Sequence, residues 1–242
     1  MAIILGGGGH GEQTVITNKL FESLIDSNKP ILYIPLAWEH YDEGYQNCKK
    51  FLIGEFSNIK HGEIEVIQSA DEILDKNLFD YSAIFIGGGN TYKLLKNLKD
   101  SGAFEKIKQY TDNGGIVYGG IAGAAIFGKD INSIFYMDTN NFDLKDTSGF
   151  NSLFGFSLTV HYTNQSEENH KHATEYITKY SMHEPIIALP EEDSLYTDGK
   201  IVKIVGTSPW YIFNKGKNQQ LPPSLEYTRD EFINIVKTTS NT

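Results

Sequence analysis

The stretch Tyr118-Gly119-Gly120-Ile121-Ala122-Gly123-Ala124-Ala125-Ile126 follows an apolar run at 116–118 and leads into residues of helical character. Small residues crowd both sides of its centre. That composition suits a sharp strand-to-helix turn whose central side chain stands out over the carboxyl edge of a sheet, the geometry of a nucleophile elbow. Here the centre is Ile121, a side chain with no heteroatom.

Outward from this stretch, short apolar runs alternate with amphipathic segments of helical length. The expected strands are 3–5, 31–35, 64–67, 83–86 and 116–118, and the helix-like segments are 13–24, 40–56, 91–98 and 104–112. Strands without polar alternation, separated by helices, indicate a mostly parallel sheet with helices on both faces. The expected architecture is therefore α/β. The last third changes character, with short strands at 185–189, 194–197, 201–205 and 210–213 between Asp-Gly and other glycine turns. These are expected to form an antiparallel extension at the edge of the sheet. Thr228 is placed to cap a closing helix over about 230–236, and the polar tail 238–242 is expected to fray. Neither a repeat nor a linker divides the chain, so residues 1–242 are expected to form a single domain.

A net charge of −10 argues against nucleic acid or an anionic membrane as the main partner. The single cysteine, Cys48, allows no internal disulfide and has no metal-ligand spacing around it. No apolar run approaches the ~20 residues that span a bilayer, and no basic segment precedes a long apolar one, so a cytoplasmic location is expected.

The run Gly6-Gly7-Gly8-Gly9-His10-Gly11 satisfies G-x-G-x-x-G between a strand and a helix. A dinucleotide site also needs an acid at the tip of the second strand. That strand ends in Leu36-Ala37-Trp38, with Glu39 the first acid beyond it. A tight turn passing close to a neighbouring loop or ligand fits the glycines better.

Further segments follow a recognisable order. Ile86-Gly87-Gly88-Gly89-Asn90-Thr91 precedes the elbow, while residues 138–149 and then Val160-His161-Tyr162-Thr163-Asn164 follow it. Together with Gly119-Gly120-Ile121-Ala122-Gly123-Ala124 they resemble the ordered motifs of peptidase family S51, serine peptidases of the dipeptidase E type. The resemblance covers essentially the whole chain and implies a class I glutamine amidotransferase-like (flavodoxin-like) fold. It implies that Ile121 stands at the nucleophile position, His161 at the base position and Asn141 at the acid position. Gly89 and Ala122 would supply the oxyanion hole, and Gly88 and Asn90 would contact substrate. No metal or cofactor is implied, the ligand would be a small peptide or acidic dipeptide, and a homodimer is compatible with the family.

Isoleucine has nothing with which to attack a carbonyl, and asparagine cannot stabilise an imidazolium by charge; in a well-studied triad Asp-to-Asn alone lowers turnover about 10⁴-fold. The expected function is thus that of an inactive homologue that binds small peptides. A hydrolase using unconventional chemistry around His161, a fold kept for partner contact and a nucleotide-binding module are the alternatives, the last weakest. A β-branched residue is disfavoured at the positive φ of such elbows. The turn is therefore expected to relax, with the Ile121 side chain partly filling the pocket. Residues 167–172 and Pro190-Glu191-Glu192-Asp193 read as solvated segments, although the latter follows a strand and so could approach the site.

Overall fold

The computed structural model describes residues 1–38 and 41–239; Glu39, His40 and residues 240–242, with the expected helix start at His40 and most of the expected frayed tail, lie outside the described residues. Among the described residues the strands are β1 (Ala2–Gly6), β2 (Ile31–Ile34), β3 (Ile64–Val66), β4 (Ala83–Ile86), β5 (Ile116–Gly120), β6 (Ser157–Thr159), β7 (Ile186–Ala188), β8 (Ser194–Thr197), β9 (Ile201–Val205), β10 (Trp210–Asn214), β11 (Lys217–Leu221) and β12 (Glu226–Thr228). The α-helices are α1 (Val15–Leu24), α2 (Tyr41–Glu55), α3 (Glu72–Asp75), α4 (Thr91–Ser101), α5 (Ala103–Asp112), α6 (Ala122–Ala125), α7 (Glu167–Tyr180) and α8 (Arg229–Thr238).

The larger sheet runs β12-β9-β8-β1-β5-β4-β2-β3. Its five strands from β1 to β3 in that order are parallel, and β8, β9 and β12 add to the β1 edge antiparallel. Successive side chains point to opposite faces. Ile3, Leu5, Leu32, Ile34, Ile84 and Ile86 therefore join a core with α4 and α5. Their neighbours Ile4, Ile31, Tyr33, Ala83 and Phe85 join a second core containing Phe21 of α1 and Leu52 of α2. Burial on both faces explains why these strands read as unbroken apolar runs.

The expected single extension is in fact split between two sheets. β8 and β9 do extend the large sheet, but β7 and β10 belong to a separate sheet of order β11-β10-β7-β6, in which β6 and β7 are parallel. Ala173 and Ile177 of α7 cover one side of this sheet, where Ile186, Ala188 and Phe213 lie. Leu158, Ile187 and Ile212 face the main core with Phe232 and Val236 of α8. Residues 167–172, expected as a solvated segment, are the opening turns of α7, capped by the Ser166 hydroxyl, which accepts from Asn169 N. The expected cap of α8 is present, with Thr228 and Glu231 in a reciprocal capping box.

No helix among the described residues is long and apolar enough to cross a membrane. Cys48 is buried, and burial pushes its thiol above the usual range, which suits a packing role.

Candidate active site

The carboxyl ends of parallel strands converge on one edge of the fold, where ligands bind in open α/β sheets. β1 delivers the glycine run, β4 the loop Gly87–Asn90, β5 the residue Ile121, and β6 and β7 of the smaller sheet deliver His161 and Glu191.

The elbow is held from both sides. Ala124 N and Ala125 N donate to Ile121 O at 3.0 and 2.9 Å, and Gly123 N donates to Gly87 O at 3.2 Å. A Cβ on Gly119 would collide with Gly123 O, and one on Gly123 with Ile86 O, so the turn has no room for larger residues. Within this frame Ile121 stands at φ 53, ψ −109. The expected relaxation does not occur: the hydrogen bonds of Ile121 O and the packing of Gly123 hold the backbone in the strained conformation despite the branched side chain. The Ile121 side chain packs on Gly88, where a Cβ would come within 2.8 Å of its Cδ1. A cavity of about 220 Å³ remains open beside it, lined also by Gly8, Gly88 and Glu191.

His161 itself has φ 55, and its N–H donates to Gly7 O at 2.8 Å. Its ring lies against Gly8, at φ 121, where any Cβ would fall within the imidazole. Its Nδ1 is 2.7 Å from Glu191 Oε1. An ionised carboxylate only accepts, so with Glu191 ionised Nδ1 carries the proton and Nε2 is left as the basic nitrogen. Glu191 is fixed in turn. Gln13 Nε2 donates to its Oε2 at 3.4 Å, its N–H donates to Asn164 Oδ1 at 2.8 Å, and its carbonyl accepts from Gly9 N at 3.0 Å.

The acid beside His161 is thus Glu191, and the assignment of Asn141 is corrected. Asn141 is exposed, within a segment whose Asp138 accepts from Thr91 N at 2.7 Å and whose Thr139 O accepts from Asn90 Nδ2 at 3.0 Å. That segment serves the N-terminus of α4. Asn90 is committed to the same task, because its Oδ1 caps α4 by accepting from Lys93 N at 3.0 Å. Gly88 lines the cavity beside Ile121, whereas Gly89 and Asn90 line a second one of about 380 Å³ that shares Trp38 with it. Ala122 is buried directly behind the elbow. Glu191 follows an apolar strand that ends at the same edge as His161, the one sequence signal that pointed to it.

The glycine run packs against protein. Gly7 approaches Pro190, Gly8 the His161 ring and Gly9 the Glu191 carbonyl, so the run brings β1 close enough to seat the histidine–glutamate pair. Next to that pair Asp193 is fully buried; its Oδ1 accepts from Thr207 N and Ser208 N, and its carbonyl accepts from Gly7 N. Burial pushes its carboxyl up to about 6, against the pull of those two amides. Among the described residues no group of three or more His, Cys, Asp or Glu is placed to hold a metal ion.

The model of peptidase family S51 matches residues 2–205, a span holding Ile121, His161 and Glu191. Peptidase E of Haemophilus influenzae is 25% identical over 201 residues, covering 77% of this chain and 79% of that protein. Peptidase E of Shewanella denitrificans is 30% identical over 150 residues, which span 59% of this chain and 61% of the relative's length. In fold, the chain is similar to the crystal structure of a peptidase from an acI-B1 Actinobacterium, with a TM-score of 0.72 at 18% identity over 94% of this chain and 96% of that one. A putative peptidase E from Listeria monocytogenes gives a TM-score of 0.63 at 24% identity, covering 86% of this chain and 98% of the other.

Proposed function

The chain belongs to peptidase family S51, and we propose that it is a member that holds small peptides without cleaving them through an acyl-enzyme. The carrying observation is Ile121 at the centre of the elbow. Acyl transfer needs a heteroatom there to attack the carbonyl, and His161 has no hydroxyl proton to take from an isoleucine. Everything around that position favours a ligand site whose one missing part is the nucleophile. The elbow keeps its strained backbone, His161 keeps a carboxylate on Nδ1, and the Gly89 and Ala122 amides are the candidate oxyanion donors. Such remnants sustain roughly 10³–10⁴ over water in a triad stripped of its members, far short of a working peptidase.

Because the acid is Glu191, repair needs a single substitution. Ile121→Ser is expected to gain hydrolysis in a dipeptide panel that spans Asp-X, the substrates that the family resemblance implies, and Phe-X, while the unmodified protein stays at background. Adding His161→Ala to Ile121→Ser abolishes the gain, and adding Glu191→Gln lowers it by up to about 10⁴. Adding Asn141→Glu changes it little. Robust turnover by the unmodified protein that disappears in His161→Ala would overturn the proposal. It would establish instead the second reading, hydrolysis by a water activated at His161, which the intact His161–Glu191 pair favours.

A further inference from the structure

The cavity beside Ile121 has a chemical character of its own. Trp38, Phe51, Phe56, Phe85 and Tyr118 contribute to its lining, and its walls are predominantly apolar. The ionisable groups among its described lining residues are Glu55, Glu191, His10 and Tyr118, so two carboxylates are present and neither lysine nor arginine. Glu191 is engaged by His161. Glu55 differs. It accepts from Gly11 N at 3.1 Å and from the Thr14 hydroxyl at 3.2 Å, both neutral donors. Among the described residues no cation pairs with it, and it forms part of the cavity wall.

An acidic ligand group would meet two carboxylates here, with only the exposed His10 and the carboxylate-bound His161 to offset them. A cation meets a carboxylate and, at Trp38 and Phe51, exposed aromatic rings able to receive it. A cavity of ~150 Å³ already holds a benzene ring, so about 220 Å³ admits a ring together with a short polar tip.

We infer that this cavity takes an aromatic or other bulky apolar group carrying a protonated amine, with Glu55 as the residue that recognises the amine, and that it disfavours acidic groups. The inference rests on the reading of this cavity as a ligand site. It replaces the acidic dipeptide with a peptide that presents its free amino terminus beside an apolar side chain.

The test compares three probes of similar size on the unmodified protein by NMR or calorimetric titration: 2-phenylethylamine, neutral 2-phenylethanol and 3-phenylpropionate. The amine is expected to bind roughly tenfold or more tighter than the alcohol, the worth of one charge-assisted hydrogen bond. The carboxylate is expected to bind weakest. Glu55→Gln keeps an acceptor for Gly11 N and removes the charge, and it should erase the amine's advantage over the alcohol. Phe51→Ala, at the half-exposed rim, should weaken the amine and the alcohol alike. Carboxylate binding as tight as that of the amine, an amine advantage that survives Glu55→Gln, or no amine binding to the unmodified protein would each overturn the inference. None of the probes contains a peptide bond, so these outcomes are independent of turnover. Peptide hydrolysis by the unmodified protein that His161→Ala abolishes would sink the proposed function and leave the amine preference standing, whereas a carboxylate preference without hydrolysis would do the reverse.

Discussion

At Ile121 two energies of similar size oppose each other. A side chain held at a sparsely populated positive φ costs about 1–3 kcal/mol, while burying an isoleucine fully contributes about 1.5–3 kcal/mol. Ile121 is only partly buried, packed on Gly88 and against the main core, so the two come close to cancelling. This reverses the usual ranking of small substitutions. Ile121→Gly loses the packing and releases the strain, so its stability should lie within about 1 kcal/mol of the unmodified protein. Ile121→Ala loses most of the packing while keeping a Cβ at positive φ, so it should be the less stable variant. Urea denaturation of both distinguishes the cases; alanine more stable than glycine would mean that the elbow carries little strain.

The elements that position the site were legible in proportion to how completely each is buried. β1, β2, β4 and β5 announce themselves because both faces of each meet a core. β6 is three residues, Ser157-Leu158-Thr159, of which two are polar, and β11 is the polar run Lys217–Leu221 at a sheet edge; neither carries an apolar run to read. Missing β6 concealed that His161 leaves the smaller sheet beside the strand that delivers Glu191, 30 residues further along the chain. Motif order alone placed the acid between elbow and histidine, whereas the parallel pairing of β6 with β7 brings to His161 a carboxylate that follows both in the chain. The glycine run was legible as a close-approach device, and its partner is now specific. Gly8→Ala should displace the His161 ring and destabilise the fold by about 1–3 kcal/mol or more, from positive φ and a direct clash together. Thermal denaturation measures the loss, and a shift of the His161 ring resonances in NMR locates it. An unchanged resonance would dissociate Gly8 from the histidine.

Across the whole molecule, Asp193 joins the two sheets, since its carbonyl holds Gly7 beyond β1 while its carboxylate holds the turn between β9 and β10. Its carboxyl rises from 3.8 to about 6 on folding, chiefly through burial. The sign follows directly. A raised carboxyl favours the folded state when protonated, so this contribution is full below pH 3.8, declines between 3.8 and about 6, and is gone above that. The shift corresponds to about 3 kcal/mol at 1.36 kcal/mol per unit. Asp193→Asn retains the acceptor for Thr207 and Ser208 without the buried charge. It should therefore raise the melting temperature at pH 8 and bring little benefit at pH 4. Equal effects at both pH values would show that the Asp193 carboxyl does not titrate as its burial requires.

The preserved elbow also has a genetic meaning. An isoleucine codon ending in a pyrimidine becomes a serine codon by a change at its middle base, and the backbone that would receive the new hydroxyl is already bent to present it. Mutation could thus supply the missing hydroxyl without first reshaping the turn. Where the Ile121 codon ends in a pyrimidine, one base change therefore leads to a Ser-His-Glu constellation.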